Sequence, residues 1–334
     1  MSTGMPMNMQ APSPWRALMA APSFTPLVTV VLLVLLFGAG AAAYPGFLSL
    51  QVVLNLLIDN AFLLVLAIGM SFVILSGGID LSVGSVLALT TMIAAALLRA
   101  GYPPVLVIVA VLALGALFGA AQGALIHYFK LQAFIVTLAG MFLARGLCYL
   151  ISIESITIDD PLFVAMSQTQ LPLFGGFLSP GAVIALALLA IAIYVCHCTP
   201  FGRAVYAIGG NEQSAHMMGL AVGRTRVAIY ALSGFCAALG GLLFAFYMLS
   251  GYGLHAQGTE LDAIAAVVIG GTLLAGGYGY VAGALSGVLI LGVIQTLIAF
   301  DGTLSSWWTK IVIGGLLFVF CVVQRLLSLR AKNN

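Results

Sequence analysis

Apolar residues fall in long blocks along the chain, and the polar residues between the blocks mark their ends. Ten blocks stand out: Leu27–Ala43, Ala61–Leu75, Val83–Leu98, Pro104–Ile126, Ala133–Ile153, Pro180–Cys196, Val227–Leu249, Ala263–Ala275, Val281–Phe300 and Trp307–Val323. Each is predicted to be helical, because a backbone in hydrocarbon must satisfy its polar groups within its own segment. A perpendicular helix needs ~20 residues to cross ~30 Å of hydrocarbon, so the shorter blocks are expected to be tilted, broken or shielded. The pattern predicts an all-α polytopic membrane protein of about ten transmembrane helices, including short glycine-broken segments.

Composition agrees with this class. Of 334 residues, 63% are hydrophobic and 6% charged, against roughly 25% charged in a soluble domain. A net charge of +2 offers no basic patch dense enough for a nucleic-acid partner. The contact chemistry expected is with membrane lipid.

Lys and Arg orient the blocks, since short cytoplasmic loops retain positive charge. Arg16, Lys130, Arg203, Arg224, Arg226, Arg325, Arg330 and Lys332 all fall on one side of a ten-span count, with both termini cytoplasmic. Glu154, Asp159 and Asp160 lie in a loop, residues 154–179, that has no Lys or Arg and is expected outside; Arg99 alone dissents. The expected domains are a cytoplasmic tail over 1–26, a permease domain over 27–325 and a cytoplasmic tail over 326–334. Ala41-Ala42-Ala43 imitates a cleavage site, but seventeen apolar residues exceed the ~7–15 of a signal h-region, so an uncleaved span is expected.

SGGIDLSVGS, residues 76–85, interrupts an apolar stretch whose only charge is Asp80. Gly77 and Gly78 are expected to separate two short helices, the second starting near Leu81 to Val83, with Asp80 and Ser82 capping its free N–H groups. Capping at a tight reversal is the simpler role; lining a polar pathway, as discontinuous helices do, is the sharper one. Val267-Val268-Ile269-Gly270-Gly271 leading into Gly276-Gly277 echoes Val73-Ile74-Leu75-Ser76-Gly77-Gly78 leading into Gly84. Glu260 and Asp262 just before this second break read as a solvated helix start or as a polar mouth on the outer, periplasmic face. His127, His216 and His255 read as solvated. Gly115…Gly119 and Gly283…Gly287 are small-xxx-small faces for close helix contacts.

Residues 199–226, TPFGRAVYAIGGNEQSAHMMGLAVGRTR, form the longest cytoplasmic connection. Ala204–Ile208 and Glu212–Met218 are each expected to be a short helix, with Gly209-Gly210 as a stop and Asn211 as the next N-cap. Such helices suit docking into a groove on another protein.

No G-x-x-x-x-G-K-[ST], H-E-x-x-H or G-x-S-x-G occurs, so neither an ATP site nor protease or hydrolase chemistry is expected. The cysteines, including Cys196 and Cys198 around His197, read as apolar filler rather than as a metal site or disulfide framework. Asp80 and Arg145 are the main ionisable residues in the bundle.

SGGIDLSVGS, FGRAVYAIGGNEQSAHMMGL and ELDAIAAVVIGGTLLAGG, in this order, resemble the permease subunits of bacterial ABC-type sugar importers, the ribose, xylose and galactose permease family. The resemblance runs from about Asn55 to Arg325. It implies an inner-membrane permease that works with a periplasmic sugar-binding protein and a cytoplasmic ATPase. ATP and Mg would be used by that ATPase, and no cofactor is bound by this chain. It also implies that Phe201, Gly202, Arg203, Gly209, Gly210 and Asn211 lie in the loop that meets the ATPase. FDGTLSSWWTKI and ESITIDDP resemble the galactofuranose-importer branch, which implies a second, related but different permease; a homodimer is the alternative. Trp307 and Trp308 beside Lys310 also read simply as an interfacial aromatic belt. The competing function is a self-contained facilitator or cation-coupled carrier of a small polar solute.

Overall fold

The computed structural model describes residues 24–303, 305 and 307–332. The expected N-terminal tail falls, over residues 1–23, outside the described residues. A first helix, α1, spans Phe24–Ala43, so it starts three residues inside that tail. Then come α2 (Leu50–Asp59), α3 (Ala61–Leu75), α4 (Val83–Arg99), α5 (Pro104–Tyr128) and α6 (Ala133–Ile151). A loop region carries β1 (Ile156–Thr157), α7 (Pro161–Gln168), β2 (Leu171–Leu173) and β3 (Gly176–Leu178). It leads to α8 (Pro180–Cys198), α9 (Pro200–Gly210), α10 (Glu212–Met217), α11 (Val222–Met248) and β4 (Ser250–Gly251). The chain closes with α12 (Thr259–Ile269), α13 (Gly283–Asp301) and α14 (Trp307–Lys332). No break in α14 marks the boundary expected at Arg325, and residues 333–334 of the C-terminal tail lie outside the described residues.

All ten apolar blocks contain a helix, but ten full crossings do not follow. Among the described residues five helices, α5, α6, α8, α11 and α13, are long and apolar enough to cross alone, and the pair α2–α3, bent by 57° at Asn60, makes six. The block expected over Ala263–Ala275 is helical only as α12, which starts at Thr259 and stops at Ile269. Residues 270–282 leave the helical path because Gly271, Gly276, Gly277 and Gly279 take positive φ.

The short helices form the interior. Every residue of α3 except Phe62 is buried, and α12 is buried from Asp262 to Ile269. By contrast, only 22% of α5 and 28% each of α6 and α8 are buried over their apolar windows. Long lipid-facing helices thus ring short broken ones, which is how opened backbone survives in hydrocarbon: other protein shields it. Small residues set the close contacts. A methyl on Gly119 of α5 would collide with the Tyr230 carbonyl of α11, and one on Gly123 would lie 2.9 Å from Val227 Cα. Gly283 and Gly287 of α13 meet Gly270 and Ala266 of α12 in the same way. Both glycine stripes are therefore helix contacts, as their spacing predicts.

The two ends of the bundle differ. At one end β1 pairs antiparallel with β4, Ile156 opposite Gly251, and Asp160 caps α7 by accepting from Leu162 N–H at 2.9 Å. At the other end Lys130, Arg226 and the α9–α10 pair surround one cavity. The acidic loop and the basic residues are thus separated by the length of α11, 27 residues or about 40 Å.

Candidate functional site

The first helix break follows α3. Gly77 takes φ +79°, its N–H donates to the Ile74 carbonyl at 2.9 Å and the Gly78 N–H to the Val73 carbonyl at 3.0 Å. This is a Schellman closure, in which a glycine without Cβ strain ends the helix and satisfies its last carbonyls. The chain then runs through Asp80, which is buried and fully bonded: Oδ1 accepts from Ser82 N–H at 2.9 Å and Ser82 Oγ at 2.7 Å, and Oδ2 accepts from Ser233 Oγ of α11 at 2.7 Å. Ser82 makes no capping bond of its own, contrary to expectation. Its backbone is already helical, at φ −85° and ψ −12°, whereas a capping residue is normally extended, and its hydroxyl proton goes to Asp80 Oδ1. Gln122 of α5 reaches Ser82 Oγ at 3.2 Å. Asp80 therefore ties the break to α11. Gly84, expected within the break, lies in the first turn of α4, buried against Ala256, Thr259 and Glu260; it is a contact glycine.

The second break repeats the closure. Gly270 caps α12 with right-handed φ and packs on Gly283; Gly271 takes φ +100°. The Gly271 N–H donates to Val268 at 3.0 Å and the Thr272 N–H to Val267 at 3.2 Å. VILSGG and VVIGGT thus form the same motif. The later glycines do not correspond: Gly276 and Gly277 turn at φ +84° and +75°, whereas Gly84 is helical.

The two breaks meet. The Gly277 N–H donates to the Leu75 carbonyl at 2.9 Å, satisfying an acceptor that the end of α3 leaves open. A methyl on Gly276 would lie 2.7 Å from Gly77 N. α9 completes this junction. Thr199 caps it, accepting from Gly202 N–H at 3.3 Å, with Pro200 at its start; Phe201 faces Phe72 of α3 with ring centroids 6.1 Å apart, and Gly202 abuts the carbonyls that end α8. A methyl on Gly209 would collide with the Leu75 carbonyl oxygen and lie 2.6 Å from Gly277 N. The Tyr206 hydroxyl donates to the Gly279 carbonyl at 2.7 Å. Gly209-Gly210 is not the expected stop. α9 runs through both with right-handed backbone, and Gly209 is needed for close approach, while a methyl on Gly210 would meet nothing within 4 Å. Asn211 does cap α10, accepting from Ser214 N–H at 2.8 Å.

Around this junction a cavity of about 600 Å³ is lined by Gly77, Gly78, Lys130, Gly209, Asn211 and Arg226 among others. Arg226 pairs with Glu212 at 2.9 Å. Arg203 is exposed, and Met217 and Met218 at the end of α10 are 77% and 68% exposed.

Toward the other end, Asp262 is not solvated. It is 6% exposed and accepts from Lys310 Nζ of α14 at 2.6 Å, so a lysine read from sequence as part of an interfacial belt is a buried carboxylate's partner. Glu260 is partly buried, with Oε2 against Gly84. Arg145 donates to the Gly253 and His255 carbonyls at 2.6 and 2.9 Å. His255, expected solvated, packs its ring on Phe244 and Tyr252. Among the described residues no three His, Cys, Asp or Glu side chains gather as a metal would require. Sequence reasoning missed Gln122, Tyr206 and Ser233; Gln122 alone carried a signal, as the one amide inside the apolar block Pro104–Ile126.

Residues 52–321 match the protein family described as the branched-chain amino acid transport system permease component. The chain is 51% identical over 310 residues to the inner membrane ABC transporter permease protein YjfF of Escherichia coli K12, covering 92% of this chain and 93% of that one. It is 40% identical to the fructose import permease protein FruG of Bifidobacterium longum, over 90% of each chain, and 36% identical to the ribose import permease protein RbsC of Escherichia coli K12, over 85% of this chain and 88% of that one. No solved structure matches. A multi-pass inner-membrane protein without an ATPase site of its own, this chain belongs to the family of ABC transporter permease components that includes these sugar import permeases.

Proposed function

We propose that the chain is the permease of an ATP-driven, binding-protein-dependent importer of a monosaccharide of the galactofuranose type, and that it forms half of the translocation pathway beside a second, different permease. The observation that carries the reading is the α9–α10 pair. Both helices are capped, one side is wedged against the two helix breaks, and the other presents Arg203, Met217 and Met218 to solvent. Exposed methionines on a rigid element adapt to a partner's groove, and the partner here is a cytoplasmic ATPase that uses ATP and Mg. In this reading the end bearing Lys130, Arg203 and Arg226 faces the cytoplasm and the β1–β4 end faces the periplasmic sugar-binding protein, in keeping with the positive-inside rule. The resemblance of ESITIDDP and FDGTLSSWWTKI supports the sugar and the paired permease.

Uptake of labelled galactose by cells expressing the binding protein, both permeases and the ATPase is expected to vanish when the ATPase or either permease is deleted. Uptake that persists without the ATPase would make the chain a self-contained carrier. Full uptake with this chain as sole permease would replace the heteromeric pair by a homodimer.

A further inference from the structure

We propose that Gly209 is the positioning residue through which a displacement of α9 reaches both helix breaks at once. The inference rests on the reading of α9–α10 as the ATPase-docking element, and adds what that element moves. Three segments distant in sequence meet here through backbone. The Leu75 carbonyl ends α3, the Gly277 N–H that bonds to it belongs to the second break, and the Cα of Gly209 is seated on both. Gly77 and Gly276 stack in the next layer, where a methyl on Gly276 would lie 2.7 Å from Gly77 N. With no side chains between them, the segments have no rotamers to absorb a shift, and close-packed interiors transmit strain rather than damp it. Phe201 against Phe72 and Tyr206 on the Gly279 carbonyl attach the same helix to the same two segments about two turns and one turn earlier, respectively. A push on α9 therefore cannot move one break without the other.

Glycine at 209 is needed for this contact and not for the turn, since its φ is right-handed. A single methyl would force α9 away from the Leu75 carbonyl and from Gly277, and leave its exposed face unchanged.

The test is amide hydrogen exchange on the full membrane complex in nanodiscs, nucleotide-free against vanadate-trapped, which requires no knowledge of the sugar. In the wild type, trapping is expected to change exchange in residues 76–82 and 270–282 together with 200–217. In Gly209→Ala the ATPase still co-purifies and 200–217 still responds, while the response at both breaks falls on the order of tenfold. Tyr206→Phe, which deletes one hydroxyl and adds no volume, is expected to weaken the response at 270–282 more than at 76–82, and keeps the question answerable if Gly209→Ala fails to assemble. Breaks that respond at the wild-type level in both variants, or in Tyr206→Phe alone where Gly209→Ala does not assemble, overturn the inference and leave the docking reading standing. A wild-type complex in which 200–217 does not respond to trapping overturns both.

Discussion

The two helix breaks begin alike and are secured differently. Both end a buried helix with a Schellman closure on a left-handed glycine, Gly77 in one and Gly271 in the other. After the first, the chain re-enters a helix at Val83, and Asp80 bonds this short link to itself and to α11 through Ser82 and Ser233. After the second, the chain wanders to Gly283 through several left-handed glycines and is held at its own backbone, by the Leu75 carbonyl, the Gly209 surface and the Tyr206 hydroxyl on the Gly279 carbonyl. A buried carboxylate and its hydroxyl partners seal one, and close contacts on the backbone itself hold the other. The first is therefore vulnerable to losing polar partners and the second to gaining volume.

The largest effect is expected at Asp80. Asp80→Leu removes the acceptor of three buried donors, of which the Ser82 hydroxyl alone keeps another, Gln122 Oε1; the two left stranded cost ~1–3 kcal/mol each, so folded yield in detergent is expected to collapse. Asp80→Asn keeps the Oδ1 acceptor and lets the Ser233 hydroxyl turn, at a cost of about 1 kcal/mol, read as a modest fall in melting temperature. If Asn is as damaging as Leu, the negative charge itself holds the break.

Volume is the next lever. Gly276→Ala adds a methyl 2.7 Å from Gly77 N at φ +84° and is expected to cost about 2–4 kcal/mol from overpacking and left-handed strain combined. Gly77→Ala meets only the Ala275 carbonyl, at 3.6 Å, and is expected to cost about 1–2 kcal/mol from φ alone. Thermal unfolding of the two variants side by side checks the order; equal losses would mean that the junction between the breaks is not tightly packed.

The smallest change separates Asp80's links. Ser233→Ala removes the bond to α11 and leaves the turn with Ser82, at a cost of about 0.5–1.5 kcal/mol. Hydrogen exchange is expected to rise in residues 76–82 and to stay level in 270–282; a rise in both would show that the breaks unfold as one unit.

Much of this was legible beforehand because it depends on local rules. Ten apolar blocks, the glycine closures after VILSGG and VVIGG, the cap at Asn211, and the contact stripes at Gly115 and Gly283 each follow from the chemistry of a few neighbouring residues. Misreadings arose where a residue's role lies with a distant partner. Gly209 and Gly84 read as breakers because glycine permits turns, yet both are helical and serve close approach. Asp262 reads as a solvated start or a polar mouth, and its partner Lys310 goes unseen because it is 48 residues away.

What the sequence by itself determined is the class of molecule and the places where helices must end, since hydrocarbon tolerates backbone only when its hydrogen bonds are met, and glycine and proline decide where they are not. What only the tertiary structure decided is that both opened helices and α9 come to one point, with Gly277 answering the Leu75 carbonyl and Gly209 lying against both. Such contacts are made by peptide groups that every residue carries, so no side chain in the sequence announces them.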